Sequence, residues 1–355
     1  MRISWTSGLA VCFLTLSLVA LTDAQSPQGN YHLLKTYKLG PAEGSNFEYF
    51  DYVTVDSSAR RVYLSHGTEI KVIDADSGAL VGNITGLRLS HGVALATEFG
   101  RGFISDGLQG KVIIFDLKTL KLIGEAKAAP DADSILYDPP TKRVFSMNGD
   151  SRSSTVIDAK TGSVVGTIDL AGSPEFAVSD GKGAIYNNIE DKNELIAIDS
   201  HSLSIKSRWP VAPAGGPTAL AIDRKHRRLF SAGRDPQMLI VMDADNGKVI
   251  QSFPISSGVD AAVYDEETGL IFASTREGMI HIFHEDSPDK LSVVETVKTQ
   301  VGAKTMGLDT KTHNLFLDTA DFAPPSAPTP ERPHPRPQAI PGTFRVLVYG
   351  PPFTQ

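Results

Sequence analysis

The sequence has 355 residues, 41% hydrophobic and 21% charged, with 34 basic against 41 acidic side chains, a net charge of −7 and one cysteine. These values exclude a disordered polymer and a disulfide-stapled scaffold, and an acidic chain lacks the basic footprint of a general nucleic-acid binder. The length admits one large domain or two ordinary ones.

The chain opens with Arg2, an uncharged apolar run from Gly8 to Leu21, and Thr22-Asp23-Ala24. A positive start, a short apolar stretch and small residues at −3 and −1 form the pattern of a signal peptide over residues 1–24. The run is too short to span a bilayer comfortably, and Cys12 lies inside it rather than at its end, which argues against a lipoprotein anchor. Cleavage before Gln25 would leave 331 residues without cysteine, an exported chain in the periplasm or outside the cell. No second apolar run is long enough to span, so no membrane segment is expected after cleavage.

From Asp51 onward the sequence repeats itself. Copies begin at Asp51, His91, Asp133, Glu175, Thr218, Asp260 and Lys304, at intervals of 40 to 44 residues. Each begins with a short apolar run that mostly ends in an acid, as at Asp56, Asp138, Asp180, Asp223, Asp265 and Asp309. A polar turn and a second run follow, and then a third run that ends at Asp74, Asp116, Asp158, Asp199 or Asp243. A last turn leads into a fourth run. Short β-branched and aromatic runs between polar turns predict antiparallel strands, and no long stretch has helical periodicity.

Four strands per repeat of this length define a β-propeller blade. The fold class expected is all-β, a single seven-bladed propeller of four-stranded antiparallel blades over residues 25–355. The seventh copy supplies three strands, Thr305–Leu308, Asn314–Leu317 and Phe344–Tyr349. Leu33–Tyr37 resembles the outer strands of other copies and is expected to complete the last blade, removing a free edge. Pro324 to Pro341 holds 8 of the 22 prolines, so an extended loop insertion is expected there. Pro328, Pro330, Pro333, Pro335 and Pro337 could present a docking peptide, although such loops commonly have no partner.

The second-strand tetrads include Tyr63-Leu64-Ser65-His66, Phe145-Ser146-Met147-Asn148 and Ile185-Tyr186-Asn187-Asn188, and third strands end as in Val72-Ile73-Asp74. In this the chain resembles the YncE-like, or YVTN, β-propeller repeat proteins of bacteria, over roughly Tyr31 to Tyr349. The resemblance implies an exported seven-bladed propeller, usually without an assigned reaction, and it supplies no active site.

In a propeller the loop entering each first strand opens on one face of the central channel. The copy starts should therefore ring one mouth, approached by the ends of the second strands. The candidate ligand-binding residues are Asp51, His66, His91, Asp106, Asp133, Asn148, Glu175, Asn188, Asp260, Arg276 and Lys304. Five of them are carboxylates, which in a confined funnel raise one another's pKa unless a cation relieves them. Ca²⁺ or Mg²⁺ could do so through Asp133, Asn148, Glu175, Asn188 and Asp260; otherwise Lys304, Arg234 and Arg276 balance the acids in a wet, metal-free funnel.

His66 and His91 could act as carboxylate-oriented bases or bind a transition metal. His281 and His284 point to opposite faces of a strand and suit no single ion. The Asp74-Ala-Asp76-Ser-Gly78 and Asp243-Ala-Asp245-Asn-Gly247 segments read as hairpin turns rather than calcium loops. No haem-attachment, phosphate-loop or nucleophile-elbow motif is present. The leading expectation is therefore a monomeric exported binding protein that takes a small molecule or protein at its funnel face, with no catalytic residue assigned. The alternative is a metal-dependent, lactonase-like hydrolase with His91 or Asp51 as base.

Overall fold

The computed structural model describes Met1 and residues 30–45, 47–329, 335 and 337–352. The expected leader, Met1 apart, and the prolines at 330 and 333 lie outside the described residues. Seven four-stranded antiparallel sheets account for the described strands. Their first strands neighbour one another in sequence order, and that of the last blade returns to that of the first, closing a ring. The last blade runs His32–Lys38, Arg345–Gly350, Asn314–Thr319, Met306–Asp309 from rim to channel. Leu33 faces Tyr349 and Tyr37 faces Val346, so the chain's two ends share one sheet. This is the closure expected from the sequence.

Each second strand carries an aromatic at its third position: Tyr63, Phe103, Phe145, Tyr186, Phe230, Phe272 and Phe316, all at most 2% exposed. These residues belong to seven apolar clusters, each shared between two adjacent blades. Phe230, for example, packs with Ile271 and Phe283 of the following blade. Full burial of such a ring contributes about 2–3 kcal/mol, so the ring of blades is held by its interfaces. Outer strands such as Leu80–Thr85 stay largely exposed. In all seven blades the third-to-fourth strand ladder slips by one residue at the same place, as between Val72 and Ile73, which adds twist to each blade.

The recurrent aspartates are fasteners. At the ends of third strands, Asp116 and Asp158 each accept a turn N–H at 2.7 Å, from Thr119 and Thr161. Asp74 takes the Ser77 N–H at 2.8 Å in the same way, which is a turn and not a calcium loop. The aspartates that end first strands accept turn N–H groups too, and three of them also reach the neighbouring blade: Arg60 to Asp309 at 2.8 Å, Arg227 to Asp180 at 3.1 Å and His313 to Asp265 at 2.6 Å.

The aromatic register also corrects the alignment of blade four. Tyr186, not Ile185, stands at the aromatic position, so Asn188 corresponds to Met147 and Ile189 to Asn148. Blade four lacks two turn residues, and a one-residue slip moves a side chain to the other face of its strand. The Pro-rich insertion is not wholly extended either. Its base closes as a narrow hairpin, with Ala323 N–H donating to Gln338 at 2.9 Å and Ile340 N–H to Asp321 at 2.7 Å. Phe322 and Ala339 pack there against the core between the last and first blades.

Candidate functional site

The copy-start positions converge. Asp51, Asp133, Glu175, Asp260 and Lys304 line a small cavity of about 120 Å³ on the channel axis, together with Arg234 and Arg276. Each side chain stands just before or at the start of its blade's first strand, except the two arginines, of which Arg234 ends a second strand and Arg276 follows one. Tyr52 and Phe176 form the floor, their ring centroids 4.7 Å apart.

One charged group from each blade forms a ribbon around this funnel. Asp133 faces the His91 imidazole, its Oδ1 3.2 Å from Nδ1, and His91 is 2.9 Å from Asp51 Oδ2. Asp51 Oδ1 accepts from the Lys304 ammonium at 2.9 Å, and Lys304 also contacts Asp260. Asp260 pairs with Arg234, which donates to Glu190 at 2.9 Å and lies 3.9 Å from Glu175. Blade five starts its copy with neutral Thr218, which bonds back to Gly216, and Arg234 supplies its charge instead.

Signs alternate along the ribbon, and seven is odd. Alternation therefore fails at one junction, where Glu175 and Asp133 of adjacent blades meet as two acids. Burial, and then the charge of Asp133, pushes Glu175 well above the usual carboxylate range. Burial likewise raises Asp133 to about 7, against the pull of His91 and with a push from Asp51. The other members behave oppositely. Burial would raise Asp51, but Lys304 and His91 hold it far below the ordinary value. Burial would lower His91, but its bond to Asp51 and the charges of Asp133 and Asp51 lift it to about 9.

Above the funnel two further cavities, of about 400 and 520 Å³, open at the mouth. Arg276 lines both and the funnel as well, while Phe322 and Pro337 from the base of the Pro-rich insertion give both an apolar wall.

The second-strand ends are not brought into the funnel, because their polar atoms are used inside or between blades. His66 stacks on Phe344 at 4.0 Å and bonds Glu48. Asp106 accepts backbone N–H groups from Arg88 and Leu89 at 2.8 and 3.2 Å. Asn148 bonds Ser153 and Thr155 within its own sheet. Asn188 donates to the Ala219 carbonyl and accepts from Ser231, tying blade four to blade five. The five-residue metal set is therefore split: Asp133, Glu175 and Asp260 line the funnel, and Asn148 and Asn188 do not. Among the described residues, Asp51, His91 and Asp133 lie close enough to share an ion, as do Asp223 and His226, at the end of the first strand of blade five and the turn after it, with Glu285 on the third strand of blade six. In the first group the Lys304 ammonium already sits on Asp51, so these residues do not fit a hard cation that needs six to eight oxygens. His281 meets the Ser256 N–H and His284 meets Asp286, so that pair is separate as well.

Tyr52 and Phe176 were not singled out in the sequence, though a signal was there. The residue after each copy start is otherwise small, as in Gly92, Ser134, Ala219, Ala261 and Thr305. Two aromatics among them mark a filled channel.

Closed blades, joined termini and a charge-lined funnel define a seven-bladed β-propeller protein. No protein-family model matches the chain. Over 149 residues, 40% of the chain, it is 28% identical to "Uncharacterized protein YncE" of Salmonella typhi. That match spans 42% of the relative's length. The shared sequence and the fold together make this a YncE-like propeller. Among solved structures, one of the mitotic checkpoint complex covers 98% of this chain and 99% of its own, with a TM-score of 0.71. Hydrazine synthase of Kuenenia stuttgartiensis covers 78% of this chain and 96% of its own, with a TM-score of 0.68. Both are 12% identical, a likeness of fold alone.

Proposed function

We propose that this propeller is an exported binding protein whose funnel receives a small zwitterion, an amino acid or a short peptide. The observation that carries this reading is the failed alternation at Glu175 and Asp133. Two adjacent, largely buried acids are costly to ionise together, and a ligand ammonium placed between them supplies the missing positive member. Arg276, which borders the funnel and both mouth cavities, can take the ligand carboxylate, and Phe322 and Pro337 offer apolar contact to its side chain. A divalent cation is less well suited, because Lys304, Arg234 and His91 would all repel it. Export rests on the leader pattern of residues 1–24. Among the described residues no helix is long and apolar enough to cross a membrane.

Calorimetry with a set of amino acids and dipeptides, beside their N-acetylated forms, tests the reading. An ammonium that re-ionises Asp133 and Glu175 must release protons, so the heat at pH 6.5 should vary with the ionisation enthalpy of the buffer. Arg276→Gln and Glu175→Gln should each weaken binding tenfold or more. Equal binding of acetylated and free amines, or a buffer-independent heat, would refute it. Cell fractionation with N-terminal sequencing tests export; a cytoplasmic chain beginning at Met1 would exclude it.

A further inference from the structure

The funnel does not continue through the molecule. Beneath Tyr52 and Phe176, on the opposite face, lies a separate cavity of about 380 Å³. Its wall is built by the first strands of six blades and is mostly aliphatic: Val55, Ile135, Val178, Ile222, Val263 and Leu308 all border it. The same two aromatics border both cavities, so they divide a funnel lined by charged groups from a channel whose side chains are mainly aliphatic.

Ser134 and Thr310 also border it, and two of the other polar side chains in this wall are engaged elsewhere. Thr54 donates to the Val93 carbonyl at 2.9 Å, and the Tyr264 hydroxyl donates to Glu285 at 2.6 Å. The distance from Tyr52 to Val55 along the strand gives a depth of about 10 Å. Such a slot offers an aliphatic wall to a hydrocarbon chain.

One cation borders it. Arg224 stands on the turn after the first strand of blade five, and its side chain is 50% exposed. Its Nε donates to the Ser179 carbonyl at 2.9 Å, and Nη1 pairs with Glu266 at 3.4 Å. A guanidinium has five donors, so several remain for an incoming anion. The donors that Arg224 has left beside Ser179 and Glu266 offer a place for an anionic head at the rim, where the acids ending the first strands have partners of their own. The wall suits an unbranched apolar tail.

We propose that this second face binds one aliphatic carboxylate, the chain in the channel against Tyr52 and Phe176 and the head on Arg224. The site is independent of the funnel ligand.

The probe is a series of straight-chain carboxylates from hexanoate to dodecanoate, each kept below its micelle concentration, titrated into the full chain. Affinity should rise about fourfold per methylene and level off once the channel is filled. Arg224→Gln, at an exposed position, should weaken decanoate at least fivefold while leaving decanol unchanged. Ala177→Trp should block both ligands if it folds, and Arg276→Gln, at the other face, should change neither. Affinity independent of chain length would overturn the proposal. So would decanoate binding that survives Arg224→Gln intact, or that is lost with Arg276→Gln.

Discussion

The Lys304 ammonium lies 2.9 Å from Asp51 Oδ1, across 253 residues of sequence, and joins the last blade to the first at the funnel rim. The side chains are 13% and 11% exposed, so the pair is largely withdrawn from solvent. Lys304 also contacts Asp260, and its removal strands two buried carboxylates at once. Breaking a buried pair from one side costs about 3–5 kcal/mol. Lys304→Met should therefore lower stability by about 3 kcal/mol in urea denaturation at pH 7. A loss below about 1 kcal/mol would mean that water screens the pair.

Much of this arrangement was legible in the sequence, and the limits are physical. Repeat spacing placed Asp51, Asp133, Glu175 and Asp260 at equivalent points of a ring, because a propeller repeats backbone geometry. The same logic failed for His66, Asp106, Asn148 and Asn188, since strand ends carry side chains to alternating faces and each of these side chains had a nearer partner outside the funnel. Asn188 failed additionally because two missing turn residues shifted the strand by one. The alternation of charge was legible only in part. Arg234 ends a second strand, and nothing in its spacing shows that it stands in for Thr218.

The ribbon also predicts an unusual response to pH. His91 is held at about 9 against 6.5 for the unfolded chain, so its contribution is complete below pH 6.5 and disappears as pH rises through 9. Asp133 is raised from 3.8 to about 7, so the folded chain keeps a proton that the unfolded chain has lost; that contribution is complete below pH 3.8 and fades as pH rises to 7. Asp51 works the other way, with stability present above pH 3.8 and lost only as the solution becomes more acid. Stability should therefore decline from pH 5 to pH 9, measured as the urea midpoint without ligand. Asp51→Asn should bring the His91 ring titration, followed by NMR, down by at least two units. A midpoint that climbs between pH 6 and 9 would contradict this account.

Closure of the ring can be tested at Tyr31. Its ring packs edge-on against Phe272 with centroids 4.9 Å apart, and its hydroxyl donates to the His313 carbonyl at 2.9 Å. The residue is 5% exposed and precedes the strand that completes the last blade. Loss of a large buried ring costs about 3–5 kcal/mol, and loss of one hydrogen bond about 1 kcal/mol. Tyr31→Ala should therefore destabilise by about 3 kcal/mol and Tyr31→Phe by about 1 kcal/mol in guanidinium unfolding. If the N-terminal strand were dispensable, both variants would unfold with the parent.

Asp318 is a place where the fold can be improved. It is fully buried, Thr305 donates to its Oδ1 at 2.7 Å, and Oδ2 has no hydrogen-bond partner. Burial raises its pKa well above the ordinary value, with only partial relief from Thr305 and Lys304. At neutral pH the unfolded carboxylate is ionised and solvated, whereas the folded one is held where its charge is disfavoured, so folding bears a cost that falls away in acid. Asparagine keeps the shape and the acceptor for Thr305 without the charge. Asp318→Asn should stabilise the chain by about 1–2 kcal/mol at pH 7, the scale of an unmet buried polar group. The gain should vanish below pH 3.8, where the aspartate is protonated folded and unfolded alike. Destabilisation at pH 7 would show instead that Lys304 requires a third carboxylate beneath it.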